Sequence, residues 1–221
     1  MDKNLKSILA EYRIKKDLYT EYCDAVYILL ENLLVKGDYK YHITKRIKEI
    51  DSLKQKYQTK KRRLKTYTKL EEIEDIAGIH VVFYTDVERK RFISELRNEF
   101  EKTLTVKETE KKSGYRSTHI IASFGPKRTS LSEYSKFVNL KCEIQLTLIL
   151  NHAWAEIEHD ILYKGASHYN GLNKADTKLL KTRLQYIMSN YINNASVEFE
   201  KIVKYVKGLH ASNKKKEKTP K

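Results

Sequence analysis

The chain has 221 residues, enough for one sizeable core with helical extensions and short for two independent domains. Its 44 lysines and arginines outnumber 29 acidic residues, and the resulting charge of +15 fits a polyanionic partner (nucleotide phosphates, RNA or an anionic surface) about as well as it fits plain lysine-rich solubility. Two cysteines exclude a disulfide framework and a cysteine zinc site, and the absence of a long apolar run excludes secretion and a membrane span, so a cytoplasmic protein is expected.

Seven glycines and two prolines predict long helices and few tight turns. Residues 4–35 carry Leu5, Ile8, Leu9, Tyr12, Tyr19, Tyr22, Val26, Leu29, Leu30 and Leu33 at helical spacing. They predict one long helix, or two in line, ending near Gly37, with the aromatic stripe facing a core. Tyr41–Lys48 is short and alternating, an edge strand with Arg46 and Lys48 on one face. Two cations side by side, followed by Ser52, make a cradle for a polyphosphate. A helix follows from about Asp51, and its run Lys60, Lys61, Arg62, Arg63 and Lys65 is read as a solvated basic face.

Residues 70–85 pass from an acidic helical start into a core strand, Ile79–Phe83, with Asp75 just ahead and Gly78 allowing close backbone approach. Residues 86–102 predict an amphipathic helix, 103–106 a weak strand and 107–113 a polar loop. Gly114 then opens a strand in which Tyr115, Ser117 and His119 share a face. A tyrosine at a strand mouth suits stacking on a purine, although a strand tyrosine more often packs in a core. Residues 125–135 read as a loop and Lys136–Leu146 as the last core strand. Within it, Glu143 and Gln145 fall on one face, with Ile144 and Leu146 on the other. The next segment is helical, with Leu150, Ala153, Trp154, Ile157 and Ile161 on one side. A further helical pattern covers Asn173 to about Leu209, and the lysine-rich residues 211–221 are expected to be disordered. Strands interleaved with helices make the fold α/β of the mixed α+β kind, a central mixed sheet flanked by helices.

A carboxylate on a core strand is costly unless something uses it. Asp75 and Glu143 are the two strand-associated acids with apolar neighbours. Together they can hold a Mg²⁺ that also grips ATP phosphates, while Arg46 and Lys48 neutralise the rest. An acid beside an incoming hydroxyl can take its proton. Such a site suits transfer of a phosphate-containing group; spacing does not say which group, or to what.

Four blocks narrow the choice: His42–Lys48 (HITKRIK) with Ser52 and Lys56, Asp75–Ile79 (DIAGI), Gly114–His119 (GYRSTH), and Glu143–Gln145 with His152–His159 (HAWAEIEH), ending at Tyr163-Lys164. In this order and spacing, across about residues 41–164, the chain resembles the RelA/SpoT synthetase domain, in its small single-domain form. The resemblance implies a nucleotidyltransferase-like sheet that moves the β,γ-diphosphate of ATP to the 3′-hydroxyl of GDP or GTP, yielding guanosine tetra- or pentaphosphate. It implies that Arg46, Lys48, Ser52 and Lys56 face ATP and that Asp75 and Glu143 hold Mg²⁺, with Glu143 also the base. Tyr115, His119 and Gln145 would form the acceptor pocket, and His159 and Lys164 would play supporting parts. The implied layout is one domain: a helical segment over 1–40, the synthetase core over 41–165, helices over 166–210 and the tail.

Two positions depart from the family pattern. His80 and Thr147 stand where arginines are usual, and neither replaces a fixed, bidentate cation. Three functions therefore compete. The first is alarmone synthesis, and the second is a toxin-like relative, paired with an antitoxin, that places diphosphate on the 3′ end of tRNA. The third is a non-catalytic nucleotide- or RNA-binding module. Members of the family can be monomers or homo-oligomers.

Overall fold

The computed structural model describes residues 2–62, 66–100, 103–111, 113–164 and 173–217. Helix α1 (Lys3–Lys36) is a single helix. The Asp2 carboxylate caps it by accepting from the Asn4 N–H at 2.9 Å. Gly37 closes it with an N–H donated to the Leu33 carbonyl, and Asp38, at φ 51°, turns the chain toward the sheet. Its buried face (Leu5, Ile8, Leu9, Tyr12, Tyr19, Tyr22, Cys23, Val26, Leu30, Leu34) repeats at three- and four-residue intervals, so the stripe is core, as expected.

Five strands form one sheet: β1 (Tyr41–Ile47), β2 (Ala77–Phe83), β3 (Leu104–Glu110), β4 (Arg116–Ala122) and β5 (Cys142–Leu148), in the order β1-β2-β5-β4-β3. Composition explains the order. β2 is a near-continuous apolar run buried at every position but His80, which suits an interior strand. β1 and β3 alternate between half-buried and exposed residues, and they are the edges. β4 and β5 are antiparallel, with His119 opposite Gln145 and Ile121 opposite Glu143.

Several boundaries differ from the sequence reading. β3 runs on to Glu110, through residues expected to be loop, because Thr118 on β4 donates from Oγ1 to Glu108 at 2.8 Å and helps pair the strands. The last strand starts at Cys142 rather than Lys136. Ser135–Phe137 is a 3₁₀ turn anchored by buried Phe137, and Asn139 takes a left-handed φ of 66°. The expected loop after Gly125 contains a short helix, α4 (Pro126–Thr129), with proline in its first turn.

Helices α2 (Ile50–Arg62) and α3 (Asp86–Phe100) occupy the expected places. Helix α5 (Ile149–His159) buries Asn151 and Trp154, whereas Ile157 is 54% exposed and does not join the predicted face. The buried side is rotated because Glu158 turns inward toward Lys111, 3.6 Å away. Asp160–Lys164 forms a π-helical turn. Helix α6 (Lys174–Ile187) opens with a capping box between Asn173 and Asp176. A second π-helical turn, Met188–Ile192, leads into α7 (Asn193–Glu217). The tail expected to be disordered is thus helical through Glu217, and residues 218–221 lie outside the described set. Among the described residues no helix is long and apolar enough to cross a membrane.

Contacts divide the chain into two compact units. The first comprises Met1–Val82, Arg91–Glu108 and Thr118–Leu146. There α1 lies along the sheet: the Tyr22 hydroxyl donates to the Ala122 carbonyl at 3.2 Å, and the Tyr22 ring packs edge-on against Phe124 at 5.2 Å. The second unit comprises Phe83–Lys90, Thr109–Ser117 and Thr147–Lys221. Its core is a cluster of Tyr115, Trp154, Leu184 and Met188, and the Trp154 indole N–H donates to the Leu184 carbonyl at 2.9 Å.

Leu30, fully buried on α1, tests the first of these cores. Leu30→Ala is expected to lower the free energy of urea unfolding by about 2–5 kcal/mol, the range for a truncated core leucine whose cavity does not collapse.

Candidate functional site

Within the first unit, the functional side chains gather where β1 ends and β2 begins. The backbone N–H of Lys48 donates to the Ile76 carbonyl at 2.9 Å, which ties the end of β1 to the segment carrying Asp75. The Tyr12 hydroxyl of α1 donates to the Lys48 carbonyl from the other side. Held in this way, the Lys48 ammonium lies 3.0 Å from Asp75 Oδ2. Lys56 approaches the same oxygen to 2.6 Å from α2, where Ser52 and Lys56 share a face one turn apart while Leu53 and Tyr57 are buried. Asp75 therefore sits between two cations.

The electrostatics of this triad are lopsided. Burial alone pushes the Asp75 carboxyl up, but the Lys56 and Lys48 ammonium groups outweigh it and hold the group below the usual carboxylate range. Both lysines address one oxygen. The other, Oδ1, is buried with no hydrogen-bond partner among the described residues. A buried carboxylate oxygen left unpaired costs free energy and is a ready ligand for a hard cation. Two ammonium groups against one carboxylate also leave a net positive charge for an anion.

Glu143 is on β5, the strand next to β2. Its Oε1 lies 3.0 Å from His119 Nδ1 on β4, so an Nδ1–H tautomer donates to the carboxylate and fixes its direction. Gln145 stands opposite His119 in the ladder and shares the Glu143 face, as the alternation predicted. On the other face, buried Cys142 is hydrogen-bonded to Cys23 of α1, and that bond together with burial raises its thiol pKa. Cys23 Sγ also lies 3.8 Å from the Gly78 carbonyl of β2. One α1 side chain thus touches the first residues of both β2 and β5, which places Asp75 and Glu143 at the same end of neighbouring strands.

Other expected residues are placed as follows. Arg46 and Ser52 are exposed. A Cβ at Gly78 would meet Arg46 Cγ at 3.5 Å, an ordinary contact, so glycine is not required there by close approach as the sequence suggested. Lys60 stacks over the Tyr67 ring at 3.4 Å and Lys61 pairs with Asp2 at 2.7 Å, while Arg63 and Lys65 lie outside the described residues. Of the two departures from the expected arginines, Thr147 is 1% exposed and His80 is half-buried.

In the second unit, Tyr115 stands directly ahead of β4, at the strand mouth as expected, but it is enclosed, as a packing tyrosine would be. It is 5% exposed and stacked on Trp154, with ring centroids 5.9 Å apart and planes 24° from parallel. The side chain of Asn193 donates to the Gly114 carbonyl at 3.3 Å, where Gly114 has a φ of +81°. No signal in the sequence linked Asn193 to Gly114, or Trp154 to Tyr115, because the partners lie tens of residues apart. His159 ends α5, exposed, 4.0 Å from Asp160. Lys164 closes the π-helical turn, and its side chain is outside the described set.

Comparison with known proteins follows this geometry. A family described as a region found in RelA / SpoT proteins matches residues 45–168. The chain is 29% identical over 174 residues to GTP pyrophosphokinase YwaC of Bacillus subtilis (strain 168), covering 73% of this chain and 79% of that protein. Its fold matches small alarmone synthetase 1 from Bacillus subtilis bound to its product pppGpp, with a TM-score of 0.63, 22% identity and coverage of 91% and 99% of the two chains. It also matches the same synthetase bound to AMPCPP, with a TM-score of 0.65, 20% identity and coverage of 90% and 98%.

The charge on Asp75 sets a pH dependence. A carboxyl whose pKa is depressed on folding stabilises the protein above its ordinary pKa, and that contribution is lost as the pH falls through the folded value. Wild type and Asp75→Asn should therefore differ most in urea-unfolding free energy near neutrality and converge in acid. A gap that does not change with pH would show that the two lysines do not hold a charged group.

Proposed function

The chain belongs to the RelA / SpoT family, whose characteristic region covers residues 45–168, and from that membership we propose that it is an ATP-dependent pyrophosphokinase acting on GDP or GTP. It transfers the β,γ-diphosphate of ATP to the 3′-hydroxyl of the guanine nucleotide and makes guanosine tetra- or pentaphosphate. The observation that carries this reading is the Asp75 carboxylate, bracketed on one oxygen by Lys48 and Lys56 and unpartnered on the other. The working place of such an enzyme is the cytoplasm, where its substrates are and where the buried Cys23 and Cys142 remain thiols.

The residues divide the work. Lys48 and Lys56 exchange their contact with Asp75 for the phosphates of ATP, and exposed Arg46 and Ser52 extend the cradle. Magnesium fits here: it takes one or two carboxylates and leaves its remaining positions to phosphate oxygens and water, which suits Asp75 with its unpaired Oδ1, and Glu143. When bound, it neutralises phosphate charge as the diphosphate moves. Glu143, aimed by His119, removes the proton from the 3′-hydroxyl, whose oxygen bonds to the β-phosphorus. The bond from that phosphorus to the oxygen of the α-phosphate breaks, and AMP leaves with the electron pair. Gln145 and His119 line the acceptor side.

The +15 charge favours a second reading, in which the acceptor is the 3′ end of a tRNA and the enzyme is a toxin countered by an antitoxin. The basic run of α2 supports it weakly, since Lys60 and Lys61 are already engaged within the chain. ATP labelled at the β- and γ-phosphates separates the outcomes. Label on GDP or GTP supports the first reading and label on tRNA the second, while binding without transfer leaves a nucleotide-binding module.

Glu143→Gln is expected to lower kcat by about 10²–10⁴-fold, the contribution of a general base, with far-UV circular dichroism unchanged. Turnover within a few-fold of wild type would remove Glu143 from the proton-transfer role.

A further inference from the structure

The turn between β3 and β4 leads into the strand that carries His119, and the C-terminal helices hold that turn. Its own backbone closes it: the Gly114 N–H donates to the Lys111 carbonyl at 2.8 Å, and the Lys111 N–H donates to the Tyr115 carbonyl at 2.9 Å. The Gly114 carbonyl is engaged by neither bond and accepts from the Asn193 side chain at 3.3 Å. Gly114 also lies close against the junction of α6 and α7. A Cβ there would come within 3.1 Å of Asn193 Nδ2, 3.2 Å of Ser189 Oγ and 3.5 Å of Met188 Cγ, so at φ +81° a side chain would be both strained and crowded.

The π-helical turn Met188–Ile192 makes this contact possible. On a regular α-helix, residues five apart point about 140° away from each other. Met188 and Asn193 are five apart, yet both face Gly114. The turn between them, closed by i→i+5 bonds, takes in an extra residue and brings the two to one side. Met188 packs with Tyr115 and Trp154 as well, and Ile192 packs against that cluster. One wide turn therefore grips two consecutive residues, Gly114 by its backbone and Tyr115 by its ring. Such turns are rare within helices and gather at functional sites. Asn193 itself has helical angles (φ −64°, ψ −41°) inside continuous helix, so its carboxamide has no helix end to cap.

We infer that Asn193, aimed by the π-helical turn, is a positioning residue for the acceptor nucleotide. Its bond fixes the Gly114 peptide and so the direction in which Tyr115 and β4 leave the turn. His119 follows Gly114 by five positions on that strand, and it both aims Glu143 and lines the acceptor side. The role rests on the proposed reaction and adds to it a residue that acts through the backbone of another. It is confined to the acceptor, because Lys48, Lys56 and Asp75 on the ATP side are held by bonds of their own.

Initial-rate kinetics of the full chain with labelled ATP and GDP test this. Asn193→Ala should raise the KM for GDP about tenfold, the order of one lost hydrogen bond, and leave the KM for ATP within about twofold. Far-UV circular dichroism should be unchanged, since alanine is the better helix former and a merely structural asparagine would not separate the two substrates. Asn193→Asp is nearly isosteric but cannot donate to the Gly114 carbonyl. It should raise the KM for GDP at least as much, and it serves if the alanine variant is poorly folded. Variants in which neither KM moves, both rise together, or only kcat falls would overturn the positioning role while the proposed reaction stands. A wild type that labels no guanine nucleotide would overturn the reaction and this role with it.

Discussion

A carboxylate taken out of water must be compensated, and the arrangement of the first unit answers to that constraint at Asp75. Lys48 comes from the end of β1, Lys56 from α2, and Asp75 from the approach to β2, so three separate elements meet because one buried charge draws them together. Tyr12 and the Lys48–Ile76 backbone bond then hold the meeting point against α1. The compensation is incomplete in a useful way. It overshoots in charge and leaves one acid oxygen unmet, so the site is settled enough to fold and unsatisfied enough to take up phosphates and a divalent ion.

The same unit shows how α1 serves chemistry from a distance. Its buried stripe is packing, but Tyr12, Tyr22 and Cys23 also reach the backbone at the ends of β1, β2 and β4. A long helix with several polar contacts to strand ends acts as a splint, and the acids ahead of β2 and on β5 keep their places because the strands cannot slide.

Local signals in the chain were strong where period and composition agree. The α1 stripe, the apolar β2 run and the Glu143–Gln145 alternation were all legible, because each depends on residues within a few positions of one another. The four sequence blocks also pointed to Asp75, Glu143, Lys48 and Lys56 through their likeness to one family. Contacts between distant segments were not legible. Nothing in residues 114–119 announces that Tyr115 will be enclosed by Trp154, Leu184 and Met188, nor does α5 announce that Glu158 rather than Ile157 turns inward. Strand ends failed for a related reason. Lys136–Lys141 has strand-like residues, yet buried Phe137 and left-handed Asn139 divert the backbone, a tertiary choice that overrides local preference.

The two outer strands carry a further consequence. β1 and β3 each end the sheet, and a bare strand edge invites templated growth into fibrils. Here the edges are guarded by exposed Lys45 and Arg46 on one side and by Lys107, Glu108 and Glu110 on the other. Adding a foreign strand would strip water from those ions, so the sheet is protected against runaway stacking even in a crowded solution.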